Sequence, residues 1–137
     1  MSLKTSGQKT GRKSRGCVLV VEDDEAIREA FQDLLTLEGY EVLLAYDGLH
    51  GLERLCEQIP HLILLDIRMP RLDGHAFLSR CRDVPSWATI PVVVLSATQR
   101  ERPRGVRAFM SKPCDPRALL NVIAECLGEE PQRELVG

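Results

Sequence analysis

The sequence contains no apolar run near the roughly 20 residues needed to cross a bilayer. Its N-terminus lacks the charged-then-apolar order of a secretory signal. Neither a membrane span nor export is therefore expected, and the chain reads as cytoplasmic. There is no CxxC pair: the five cysteines, Cys17, Cys56, Cys81, Cys114 and Cys126, are odd in number and widely spaced. That pattern argues against a disulfide framework or a zinc site and for reduced thiols. His50, His61 and His75 do not pair at metal-ligand spacing, so surface positions are expected for all three. No internal repeat is present.

What is there suits one globular domain. The 137 residues are 44% apolar and 28% charged, enough of each for a real core and an ordinary polar surface. Charge is uneven. Residues 1–16 hold Lys4, Lys9, Arg12, Lys13 and Arg15 with no acid, or +5, so the net charge of −2 leaves −7 on the remainder. A basic stretch this short, rich in Gly, Ser and Thr, reads as a solvated leader over 1–15. No aromatic or groove-reading motif accompanies it, so direct nucleic-acid contact is not expected. Residues 129–137 read as a polar C-terminal tail.

Between these ends, apolar runs alternate with amphipathic segments. Strands are expected at Cys17–Val21, Glu41–Tyr46, Leu62–Leu65, Pro91–Leu95 and Val106–Met110. Helical spacing follows the first over Asp24–Glu38, with Ile27, Phe31, Leu34 and Leu35 on one face and Gly39 as its stop. Asp47 can cap a second helix with Leu52, Leu55, Cys56 and Ile59 as its apolar face. Asp73 can cap a third bearing Phe77, Leu78 and Cys81; Asp115 and Pro116 open a last one. Trp87, near Pro85, is expected to pack loosely at an edge. Strands apolar on both faces and separated by helices imply a parallel sheet covered on both sides. With right-handed crossovers the fold class is α/β, a doubly wound five-stranded parallel sheet of flavodoxin-like type.

In such a sheet ligands bind beyond the carboxyl ends of the strands, so the residues just after each run are informative. They are Glu22, Asp23 and Asp24 after the first, Asp66 after the third, Ser96 after the fourth, and Ser111, Lys112 and Pro113 after the fifth. Gathered carboxylates repel one another unless a cation is present. Hard oxygen ligands with open positions suit Mg²⁺. A lysine and a hydroxyl opposite them can hold phosphoryl oxygens. The combination points to phosphoryl transfer to a carboxylate rather than carbonyl hydrolysis.

The segments VLVVEDDEAIRE (18–29), LILLDIRMPRLDG (62–74), VVVLSA (92–97) and FMSKPCD (109–115) together resemble the receiver domains of two-component response regulators, the CheY-like family. The likeness covers about residues 16–128, the expected receiver domain. It implies Asp66 as phosphoacceptor, assisted by Lys112 and Ser96. It implies a Mg²⁺ site from Glu22, Asp23, Asp66 and the backbone carbonyl of Arg68. It further implies Ser96 and Phe109 as the switch pair and a cis peptide at Lys112-Pro113. A histidine kinase or histidine phosphotransfer protein would supply the phosphoryl group, and an unidentified protein target would read the new surface. The domain would assist its own phosphorylation and dephosphorylation without being an enzyme.

One stretch departs from the family pattern. Only 16 positions separate Ser96 from Lys112, and Pro103 and Gly105 oppose a long helix between them. The fourth helix is expected to be shortened to a turn or lost, so any dimer would not form by the usual fourth-helix face. Arg100, Arg102, Arg104 and Arg107 crowd this stretch against one Glu101, which reads as a solvated loop or as a surface for an acidic partner. The competing functional reading is a receiver-fold scaffold that binds partners without phosphorylation. A third, an aspartate-nucleophile phosphatase, wants an acid two positions after the nucleophile, where Arg68 stands. No output domain follows, so the chain reads as a stand-alone regulator or an excised piece.

Overall fold

Short apolar strands without alternation have no solvent face to offer, and so demand cover on both sides. The computed structural model, which describes residues 14–69, 72–97 and 102–129, meets that demand. Its elements are β1 (Cys17–Val21), α1 (Glu25–Leu37), β2 (Glu41–Ala45), α2 (Gly48–Glu57), β3 (Leu62–Asp66), α3 (Gly74–Arg82), α4 (Pro85–Ala88), β4 (Val92–Ser96), β5 (Ala108–Ser111) and α5 (Pro116–Cys126). All strand pairs are parallel, in the order β2-β1-β3-β4-β5.

Alternate residues of each central strand feed two separate cores. Leu19, Val21, Ile63, Leu65, Val92 and Val94 pack with Leu55 of α2 and with Phe77 and Leu78 of α3. Val18, Val20, Leu62, Leu64, Val93 and Leu95 pack with Leu35 of α1 and with Leu119 and Ile123 of α5. The doubly wound reading therefore holds. Among the described residues no helix is long and apolar enough to cross a membrane.

Each longer helix starts on an aspartate. The carboxylates of Asp24, Asp47, Asp73 and Asp115 accept from the amides of Ile27, His50, Ala76 and Ala118 at 2.8–3.0 Å. A cap of this kind contributes about 1 kcal/mol to stability. It also fixes where the chain leaves each strand end, which is where the site lies.

Several boundaries and packing details differ from the sequence reading. β5 runs over Ala108–Ser111 rather than from Val106, because Gly105, at φ 77, turns the chain just before it. Val106 remains apolar cover, packed on the core from the turn. Trp87 does not hang at an edge: it lies in the one-turn α4 and packs against the core. Cys56 and Ile59 are exposed; α2 instead buries Leu55 and the two glycines Gly48 and Gly51. No helix occurs between β4 and β5 among the described residues, as expected for the shortened crossover; Arg100 and Glu101 lie outside them.

The leader to 13 and the tail from 130 also lie outside the described residues. Arg15 and Glu129, read as leader and tail, meet in an ion pair at 2.6 Å. The Arg15 guanidinium also stacks 4.6 Å from the Tyr40 ring centroid, and its amide donates to Gly39 O at 3.0 Å.

Gly74 controls the return of the chain after β3. Its amide donates to Ile67 O at 2.9 Å. A Cβ there would lie 2.8 Å from Ile67 Cα and 3.1 Å from its carbonyl oxygen, leaving no room for a methyl group. Gly74→Ala is expected to cost about 1–3 kcal/mol in urea unfolding by overpacking. His75→Ala, at the exposed neighbour, should stay within about 0.5 kcal/mol of the parent.

Candidate functional site

The register sets four strand ends side by side. Val21 of β1 pairs with Leu65 of β3, Asp66 with Leu95 of β4, and Ser96 with Ser111 of β5. Glu22 and Asp23 follow β1 directly, so they face Asp66 across one strand spacing. Lys112 follows β5 and donates its backbone amide to Ser96 O at 2.8 Å. Parallel pairing alone thus brings residues far apart in sequence to one rim.

The carboxylates of Glu22, Asp23 and Asp66 each place an oxygen within 4.8 Å of the others. Glu22 and Asp66 are buried, at 2% and 7% exposure, while Asp23 faces solvent. The Lys112 ammonium lies 3.4 Å from both Glu22 Oε1 and Asp66 Oδ1. Hard oxygen donors open to solvent on the Asp23 side form a set that fits Mg²⁺, which takes a few carboxylates and keeps waters for other ligands.

The backbone around the acids is held in place. Glu22 Oε2 accepts from the Asp24 amide at 3.1 Å, and Asp66 Oδ1 accepts from the Arg68 amide at 3.4 Å. The Arg28 guanidinium donates to the carbonyls of Glu22 and Asp23 at 2.8 and 3.4 Å. That clamp was not read from the sequence, although Arg28 lies within the first matching segment; only the helix turn at Glu25 brings it back over the acids. Two histidines were also under-read. His61 Nδ1 accepts from the Cys17 amide at 2.9 Å and His50 Nδ1 from the Tyr46 amide at 3.1 Å.

Ser96 is fully buried at the end of β4, between the Asp66 and Lys112 strands. Phe109 lies apart from the carboxylates, on β5 opposite Val94, packed on the α3 side of the sheet with Arg102 over its ring at 5.6 Å. The Lys112-Pro113 peptide is cis, as the resemblance implies. Pro70 and Arg71 of the second matching segment lie outside the described residues.

Burial dominates the electrostatics. It pushes the Glu22 carboxyl up to about 7, with the Asp66 charge adding to the rise and the Asp24 amide and Lys112 opposing it. Burial also raises Asp66, partly offset by Lys112 and the Arg68 amide. For Lys112, burial works against the charge, but Glu22 and Asp66 outweigh it and hold the ammonium above its ordinary value.

A family described as the response regulator receiver domain matches residues 18–124. The polar-differentiation response regulator DivK of Brucella anthropi is 32% identical over 118 residues, spanning 82% of this chain and 96% of that protein. Response regulator MprA of Mycobacterium ulcerans is 40% identical over 103 residues, 70% of this chain but 43% of that protein, so the chain spans less than half of MprA. The crystal structure of the receiver domain of sensor histidine kinase PA1611 from Pseudomonas aeruginosa, with a magnesium ion coordinated in its active site cleft, superposes with a TM-score of 0.77. It is 25% identical, and the match covers 83% of this chain and 98% of that one.

The raised Glu22 has a consequence for stability without divalent metal. Its folded value of about 7 lies above the ordinary 4.5, so the folded state keeps a proton the unfolded chain gives up. Stability from this group is therefore present at low pH and lost as pH climbs from about 4.5 to about 7. In EDTA, urea unfolding at about pH 5 and about pH 8 should show that fall, and Glu22→Gln should flatten it.

Proposed function

This chain belongs to the response regulator receiver domain family of two-component signalling, and from that membership we propose that Asp66 is its phosphoacceptor, with Mg²⁺ held by Asp23, Asp66, Glu22 and the Arg68 carbonyl. The observation that carries the reading is the convergence of Glu22, Asp23 and Asp66 within 4.8 Å, with Lys112 3.4 Å from two of them. Bound Mg²⁺ would supply charge neutralisation for the approaching phosphoryl oxygens.

The chain's own groups account for the rest. An Asp66 carboxylate oxygen attacks phosphorus as the bond to the donor's imidazole nitrogen breaks and that nitrogen keeps the electron pair. Lys112, freed from part of its pairing with Asp66, turns its charge to the phosphoryl oxygens. The Ser96 hydroxyl is drawn toward the same oxygens, and Phe109, on the neighbouring strand, answers by repacking. The phosphoryl group thereby biases two arrangements of β4 and β5. The group enters once per chain, so the domain acts stoichiometrically and not as an enzyme acting on outside substrates. A histidine kinase or histidine phosphotransfer protein in the cytoplasm is the donor, and a protein that distinguishes the two arrangements is the target.

Incubation with Mg²⁺ and acetyl phosphate should add the mass of one phosphoryl group to the intact protein. Asp66→Asn should add none, and removing Mg²⁺ with EDTA should slow labelling at least about tenfold. Labelling that survives Asp66→Asn would sink the assignment. Absence of labelling in the parent, with partner binding retained, would favour the phosphate-independent scaffold.

A further inference from the structure

The three acids of the site are not held equally. Glu22 is tied through Oε2 to the Asp24 amide and through Oε1 to Lys112. Asp66 is tied through Oδ1 to Lys112 and to the Arg68 amide. Asp23 is exposed, and among the described residues its carboxylate makes no hydrogen bond or ion pair. The backbone that carries Asp23 is therefore what aims it, and that backbone is the two-residue link, Glu22 and Asp23, between the end of β1 and the Asp24 cap of α1.

Main-chain bonds fasten this link only at its ends. The Glu22 amide donates to Ala45 O at 3.0 Å, and Asp24 O accepts from the Arg28 amide at 2.8 Å as the helix begins. A helix bonds each carbonyl to the amide four residues on, so the carbonyls of Glu22 and Asp23 fall before that ladder. The half-buried Arg28 side chain serves both of them, its Nη1 donating to Glu22 O at 2.8 Å and to Asp23 O at 3.4 Å. These carbonyls belong to the two peptide units that flank the Asp23 Cα. Each unit is planar, so holding both fixes φ and ψ of Asp23.

We infer that Arg28 is a positioning residue for divalent-metal binding: by fixing the two peptide planes around Asp23, it holds that carboxylate toward Glu22 and Asp66. This role rests on the proposed Mg²⁺ site and extends it. Its sign separates it from a plain charge effect. As a bare cation beside three acids, Arg28 repels an incoming dication, and its loss would tighten metal binding. As a clamp, its loss frees Asp23 to turn into water, and binding weakens. Removing a group that orients a metal ligand typically costs about 10–100-fold in affinity, while a charge effect near solvent is screened, so the clamp sets the sign.

The full chain is unfolded in urea over a Mg²⁺ series, and the rise of each variant's midpoint above its own metal-free value gives the metal Kd by linkage. Arg28→Ala should raise that Kd about tenfold. In labelling with acetyl phosphate, its half-maximal Mg²⁺ concentration should move by the same factor while the rate at saturating Mg²⁺ stays near the parent's. Arg28→Lys keeps the charge but replaces the fork with one ammonium; its Kd should fall between the two, and it decides the matter even where Arg28→Ala fails to fold. Arg15→Ala is the control for a weakened fold: it removes a guanidinium that donates to Glu38 O at 3.0 Å, at the opposite rim of the sheet, and should leave the metal Kd unchanged. An unchanged or lower Kd in Arg28→Ala, a Kd equal to the parent's in Arg28→Lys, or an equal loss in Arg15→Ala would overturn the inference. No Mg²⁺-dependent rise in the parent, or an Asp23→Asn variant that binds Mg²⁺ as tightly as the parent, would overturn the proposed metal site and the inference with it.

Discussion

Three carboxylates and one ammonium meet at the rim of the sheet. Lys112 lies 3.4 Å from both Glu22 and Asp66, so a single positive charge is shared by two buried acids while Asp23 stands beside them. A buried carboxylate without a full partner holds on to a proton, and Glu22 does so up to about 7. That proton leaves as pH rises past about 7, and a cation placed beside the acids would favour its loss. Asp23 is open to solvent, and the Lys112 side chain, 25% exposed, is less buried than Glu22 or Asp66. The pocket is thereby divided between three carboxylates and one ammonium.

That division depends on the parallel sheet. In an antiparallel arrangement the ends of β1, β3, β4 and β5 would alternate between opposite edges, and no four of them could share a rim. Here Glu22, Asp66, Ser96 and Lys112 are each the last residue of a strand or the first after one. The strands carrying the acids and Ser96 are buried along their whole length on both faces. The acids therefore sit at the ends of fully buried strands, and the loops beyond them are tied by aspartate caps and by Arg28. Distances in such a site are set by strand spacing and change little when surface loops do.

This explains which parts were legible in sequence. Strand ends, caps and the acidic cluster follow from local rules: an apolar run, then a carboxylate, then helical spacing. Asp47, Asp73 and Asp115 cap where the pattern placed them, while Asp24, read as the first helical residue, is the cap of α1. What escaped depends on contacts between distant segments. Arg28 reads as an ordinary helix residue until the turn folds it over the Glu22 and Asp23 carbonyls. His61 is exposed, as read, but its acceptor role escaped because it needs the start of β1 beside it. Ile59 and Cys56 continue the helical period of α2, but close packing at Gly48 and Gly51 draws the N-terminal part of the helix inward and leaves that end exposed. β5 was misplaced because Val106 is apolar for packing, not for pairing.

Among the described residues no helix lies between β4 and β5, and the rim is built without one. Nothing at the rim needs a helix there: Ser96 is positioned by β4, and Lys112 by β5 and its amide bond to Ser96 O. The acidic pocket is therefore complete without it. Among the described residues the cover there comes from side chains, with Trp87 and Val106 supplying apolar area and Arg102 lying over Phe109. A guanidinium is a poor substitute for an apolar helix face in sealing a core, since it keeps its charge in water and contributes only its planar stack. Its advantage lies elsewhere: it leaves the ring reachable and marks it with positive charge. Phe109 sits on β5, three positions before Lys112, the first residue after that strand. Any movement of that strand would displace the side chains packed around Phe109.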